Sequence, residues 1–242
     1  MLETINCKNC ASPVIDNYCS ACGHPRLLKR VDGHYIIHEI QHILHFEKGI
    51  LYTVKGLLTH PGKNIREFIT ENRNRLVKPI IFIIITSLIY STINHFFHVE
   101  EGYVNYGGKK DSATTQIFAW VQSHYGYANI IMGVFIALWA RLFFRKYNYN
   151  FFEILILLCF VMGMGMLLFS VFTIAEVLSH TKLMQVSSYI VIAYCTWAIA
   201  QFFNGKKVVS YVNSFFAYLL GMLTFALAAL LIGFLVDAVF RH

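Results

Sequence analysis

The chain has 242 residues, 57% of them hydrophobic, 16% aromatic and only 14% charged, with a formal net charge of +7 and a mean hydropathy of +0.54. Soluble domains average roughly 45–50% apolar and about 25% charged residues, so the composition argues against a soluble globular enzyme, a disordered chain and a nucleic-acid-binding module. The apolar surplus lies in long blocks after Pro79, while residues 1–78 hold 11 of the 20 Lys and Arg, and the expected division is 1–25, 26–78 and 79–242.

Met1 to Cys10 contain no apolar run, so no cleavable signal peptide is expected. Instead, residues 1–25 carry Cys7-x-x-Cys10 and Cys19-x-x-Cys22, eight residues apart. Each pair can form a tight knuckle, and two knuckles complete a tetrahedral four-thiolate site. Zinc suits it best, being redox-inert and free of geometric strain in such a set. The gap is shorter than the usual 15–20 residues, which leaves room only for a small ribbon with a brief hairpin. Gly23 permits a turn aiming backbone N–H groups at sulfur. Two disulfides are the rival reading, disfavoured if this region faces the reducing cytoplasm. A closed four-cysteine site is structural and implies no catalysis.

Next come His34, His38, His42 and His45, at steps of four, four and three that keep all four on one helical face. Ile36, Ile37, Ile40, Ile43 and Leu44 lie opposite, with Asp32 as N-cap and Gly49 as stop. Imidazoles one turn apart can share a transition metal, so these four histidines form a candidate second site. The plainer reading is an amphipathic helix on the membrane surface with histidines as its polar face, whose protonation would tune attachment to anionic lipid. Within the stripe, His38-Glu39-Ile40-Gln41-His42 matches the zincin pattern, in which both histidines hold zinc and Glu39 would activate water. So short a string arises easily in a His-rich segment.

Residues 59–78 read as a turn at His60-Pro61-Gly62, an amphipathic helix, then entry to the membrane. Lys63, Arg66, Arg73, Arg75 and Lys78 fall at headgroup level, where each cation gains about 1 kcal/mol from anionic lipid. Arginine forks also suit a phosphate-bearing ligand. The series Cys7-x-x-Cys10, Cys19-x-x-Cys22-Gly23, Lys48-Gly49, Thr53-Val54-x-x-Leu57, Pro61-Gly62-x-x-Ile65-Arg66-Glu67-Phe68, Arg73 and Pro79 resembles the bacterial membrane-protein family numbered 3667 among domains of unknown function. The resemblance covers about residues 5–95. It implies a multi-pass inner-membrane protein with an N-terminal zinc ribbon, and supplies no activity or catalytic residues.

A helix needs about 20 mainly apolar residues to cross the hydrocarbon, and backbone in lipid must satisfy itself. Five stretches qualify: 79–97, 127–144, 154–177, 186–203 and 214–236. Trp120, Tyr125, Tyr127, Trp139, Tyr147, Tyr149 and Tyr211 cluster at span ends as an interfacial belt. The expected fold is an all-α membrane protein of about five transmembrane helices, preceded by cytoplasmic amphipathic helices and a small four-cysteine zinc ribbon. Positive charge favours the cytoplasmic side: the N-terminal region, Arg145-Lys146 and Lys206-Lys207 would lie there, with the C-terminus outside.

Ionisable residues in spans are costly and often functional. Arg141 and Glu153 lie near span ends, while His95, His98, His124, Glu176, His180 and Asp237 approach the outer face and could form a metal or proton site there. Cys159 and Cys195 read as packing residues. The expectation is an inner-membrane protein, N-terminus cytoplasmic, acting in interaction or assembly through the ribbon, with the bilayer and a protein as partners. The alternatives are a membrane-associated hydrolase built on His38, Glu39 and His42, or a small transporter or channel using Glu176 and Asp237.

Overall fold

The computed structural model describes residues 5–7, 10–15, 17–23, 49–97 and 113–240. The chain divides into two compact units, Met1–Leu44 and His45–His242.

In the first unit two very short strands, β1 (Ile5–Asn6) and β2 (Pro13–Val14), pair antiparallel with Ile5 opposite Val14 and Asn6 opposite Pro13. Val14 is buried with Cys7 and Cys19, and these three form one small cluster. Domains below about 40 residues bury too little apolar surface to fold without a metal, a disulfide or a partner.

The second unit holds eight helices among the described residues. The first two form a hairpin: α1 (Ile50–Thr59) and α2 (Pro61–Thr70). Gly49, expected as a helix stop, stands at the N-cap of α1 with φ of 45°. His60 ends α1 and begins α2, whose first residue is Pro61, where its missing N–H costs nothing. The expected breaker is therefore the corner of the hairpin. Asn64 Nδ2 staples it, donating to the carbonyls of Gly56 and His60 at 2.9 Å each.

The rest of the unit comprises α3 (Pro79–Phe97), α4 (Ala113–Ser123), α5 (Tyr125–Phe143), α6 (Phe151–Ser179), α7 (Met184–Asn204) and α8 (Val208–Phe240). All but α4 are long and apolar enough to span a membrane, which gives the five spans the sequence calls for. Two run past their apolar stretches. Helix α6 starts early because Asn150 and Glu153 form a reciprocal capping box, with bonds of 2.9 and 2.8 Å, and it ends where His180 turns left-handed at φ 54°. Helix α8 extends to pack against α4, an element absent from the sequence reading.

Helix α6 is the centre of the bundle, packed against α3, α5 and α7. Phe160 and Phe82 meet there, and Gly163 admits the Phe82 ring where an added Cβ would lie 2.8 Å from it. An aromatic plug closes one end. Phe144, just after α5, stacks on Phe203 at 3.9 Å between centroids, and Tyr149 meets Phe202 at 4.6 Å.

The hairpin docks at that same end. A Cβ at Gly62 would overlap the Gln201 carbonyl, so only glycine lets α2 lie against α7. Four residues on, and so on the same face, Arg66 Nη1 donates to the carbonyls of Gln201 and Phe202 at 2.6 Å each. These belong to the last turn of α7, whose carbonyls lack partners within the helix and carry partial negative charge. Tyr194 Oη donates to the Leu57 carbonyl at 3.1 Å. The hairpin, the turn at 144–150 and the turn at 204–207 therefore share one end of the bundle.

Candidate metal centre

Four cysteines converge in the first unit, with every sulfur within 4.8 Å of the others. Cys7 Sγ lies 3.5 Å from Cys22 Sγ, and Cys10 Sγ 3.6 Å from Cys19 Sγ. These are not bonded pairs: none of the six cysteines is in a disulfide, which would hold its sulfurs at about 2.05 Å. A tetrahedral ion with metal–sulfur bonds of about 2.3 Å sets its sulfurs about 3.8 Å apart, within the observed range. The donor set therefore fits a closed four-thiolate metal site.

The backbone explains the convergence. Each knuckle closes by one bond from the residue after its second cysteine to the carbonyl of its first: Ala11 N–H to Cys7 O at 2.9 Å, and Gly23 N–H to Cys19 O at 2.8 Å. Both closing residues are left-handed, with φ of 60° and 71°. The sequence points to Gly23 but not to Ala11, because alanine carries no mark of a left-handed turn. Gly23 directs its amide at a carbonyl rather than at sulfur. The Ser12 hydroxyl and amide donate to Cys10, lowering its thiol to about 6, with further contributions from Cys22 and Cys19. The shift favours the thiolate, the form a metal binds.

The candidate second site, His34, His38, His42 and His45 with Glu39, lies outside the described residues, as does His98. Among the described residues the four cysteines are the one group of three or more His, Cys, Asp and Glu close enough to share an ion. Of the residues expected near the outer face, the described ones, His95, His124, Glu176, His180 and Asp237, do not gather into such a group. Glu176 accepts from the amides of Leu183 and Met184 at 2.8 Å each, capping the start of α7. Asp237 accepts from the Ala113 amide at 3.0 and 3.1 Å, at the start of α4. Each carboxylate thus meets the positive end of a helix dipole. Cys159 and Cys195 are buried within spans, as packing residues should be.

A cavity of about 160 Å³ does lie among the spans. Its lining includes Asn129, Met132, Met162, Met166, Cys195 and Met222, with no acidic residue or histidine.

Fold and thiol cluster define an all-α, five-span membrane protein with a four-cysteine ribbon at its N-terminus. Residues 47–91 match the family described as protein of unknown function (DUF3667), so the resemblance drawn from the motifs holds for this stretch. The match takes in α1, α2 and the first part of α3, and leaves the four cysteines and the other spans outside it. No curated protein and no solved structure matches the chain.

Proposed function

We propose that this is a bacterial inner-membrane protein whose ribbon, held in the cytoplasm by one structural zinc ion, serves as a docking module for a protein partner. The convergence of four thiols in a unit with a core of Cys7, Val14 and Cys19 carries this reading. So small a core cannot hold two-residue strands together, and an ion at the thiols can, because its binding energy becomes folding energy. With four protein ligands the ion keeps no open position for substrate. Ile15 and Tyr18, exposed at 61% and 65%, give the module an apolar surface to offer.

Sidedness follows from charge. The bundle end bearing the hairpin also carries Lys55, Lys63, Arg66, Arg73, Arg75, Lys78, Arg145, Lys146, Lys206 and Lys207, and the positive-inside rule puts that end in the cytoplasm. Thiols stay reduced there and available to zinc.

Native mass spectrometry on the detergent-solubilised protein tests the metal. One zinc per chain is expected, and none when Cys7, Cys10, Cys19 and Cys22 are all changed to Ser. A second ion, retained by that variant and lost on His42→Ala, would replace this reading with the hydrolase. Docking is tested by a photocrosslinker placed at position 18 in intact cells. A discrete protein adduct that vanishes with the four-serine variant is expected, and adducts unaffected by losing the metal would defeat the docking role.

A further inference from the structure

The hairpin also bears a pocket open to the surface. Tyr52, Lys55, Gly56 and Thr59 follow the i, i+3, i+4, i+7 spacing of one face of α1, and that face meets His60, Lys63 and Asn64 of the corner and α2. Arg75, from the turn after α2, completes the wall of a cavity of about 280 Å³. Water occupies about 30 Å³ per molecule, so the space admits a phosphate group together with the glycerol it esterifies.

Its formally charged lining residues are all cations. Lys55, Lys63 and Arg75 line it, and no Asp or Glu does. Glu67, not itself among the lining residues, pairs with Arg75 and lies 3.8 Å from Lys63 Nζ; Glu71 acts on Arg75 more weakly. Arg75 Nε also donates to Tyr52 Oη at 3.2 Å. Glu67 and Tyr52 thus hold the guanidinium in place, and its remaining N–H groups are still available to a ligand. Within the described residues Lys55 has no acidic partner. Gly56 keeps the floor low, since a Cβ there would press on the Asn64 amide at 3.3 Å.

Position supplies the second line of argument. The hairpin is bolted to the end of the bundle through Gly62 and Arg66, and a spanning helix is expected to meet the headgroup layer at its end. On the outer side of α1, Leu51 and Leu58 are 80% and 46% exposed, with Lys55 between them on the same stripe. Apolar side chains facing outward beside a cation are what a helix at the headgroup boundary presents.

We propose that this cavity binds a phosphate group, that of an anionic phospholipid headgroup, with Lys55, Lys63 and Arg75 as its cationic ligands. A free phosphate anion offers the same chemistry, and competition separates the two sources. The intact protein, delipidated in detergent, is titrated by native mass spectrometry with phosphatidylglycerol, phosphatidylcholine and inorganic phosphate. The wild type should retain one phosphatidylglycerol about tenfold more tightly than phosphatidylcholine. Lys55→Gln with Lys63→Gln should abolish that preference, while Lys206→Gln with Lys207→Gln, at the same end of the bundle, should keep it. Both lysines of the cavity are exposed, so the fold does not depend on them. Phosphatidylglycerol that millimolar phosphate fails to displace marks the lipid as the source. Phosphate that binds alone and displaces the lipid supports the site with a soluble ligand. Equal retention of the two lipids without phosphate binding overturns the proposal, as does equal loss in both double variants, which would mean diffuse surface charge.

Discussion

The ribbon and the bundle reach order by opposite routes. In the bundle, side chains from five spans interlock: Phe82 and Phe160 are fully buried, Gly163 admits the Phe82 ring and Gly221 lets the backbone at Ile136 approach, and one helix, α6, has 61% of its apolar window inside the protein. In the ribbon, strands of two residues surround three small buried side chains, and the groups that meet are sulfurs. One region is held by packing distributed over many contacts; the other, on the proposed reading, is held by an ion at a single point. On that reading a structural site need not resemble a catalytic one, because its chemistry substitutes for a missing core.

Removing the point should therefore have an all-or-none effect confined to one region. Chelation, or the four-serine variant, is expected to strip hydrogen-exchange protection from the amides of Cys7, Ala11 and Gly23 while leaving α6 and α7 unchanged. Amides that stay protected without metal would show that the short strands suffice, and the contrast between the two regions would fail.

The bundle is expected to give way by degrees. Gly62→Val forces a branched side chain into the Gln201 carbonyl, and overpacking against backbone costs on the order of 3 kcal/mol. Heat unfolding in detergent should show it as a lowered midpoint, with zinc content unchanged. A smaller loss, about 2 kcal/mol, is expected for Arg66→Leu, which strands the carbonyls of Gln201 and Phe202 without their charged donor. If Arg66→Leu left the midpoint untouched, the two bonds would be incidental and the hairpin held by Gly62 alone.

What the sequence revealed follows the same division. Five spans were legible because length and apolarity are local properties that lipid demands. The four cysteines were legible because a knuckle's spacing is itself the chemistry. Their environment was not. Helices α6 and α8 are almost equally apolar, yet 61% of one window and 17% of the other is buried. Lipid tails are as apolar as leucine, so composition cannot tell a protein neighbour from a bilayer. Arg66 reads as one headgroup cation among several, because the carbonyls it reaches lie 135 and 136 residues away in sequence. The helix start that Asp237 caps at Ala113 was hidden for the same reason, 124 residues away, whereas Glu176 reaches Leu183 only seven residues on, through a turn that the sequence does not mark. Helix α4 went unseen because eleven residues with no buried face carry little periodic signal.

The smallest expected effect probes the symmetry of the two knuckles. Ala11 and Gly23 make the same closing bond at nearly the same positive φ, but one bears a Cβ. A left-handed L-residue is disfavoured by roughly 1–2 kcal/mol, and glycine gives back about 0.4–1 kcal/mol through the extra freedom of its unfolded chain. Ala11→Gly should therefore stabilise the ribbon by about 0.5 kcal/mol, a little over twofold in zinc retention against a competing chelator. Gly23→Ala should lose a comparable amount, although nothing lies within 4 Å of the added Cβ, because the strain is in the backbone and not in crowding. Opposite signs at matched positions would mean that the two halves of the ribbon carry equal shares of the ion. If Ala11→Gly instead loosened zinc, the alanine methyl would have to make a contact worth more than the strain it imposes, and the two knuckles would not be equivalent.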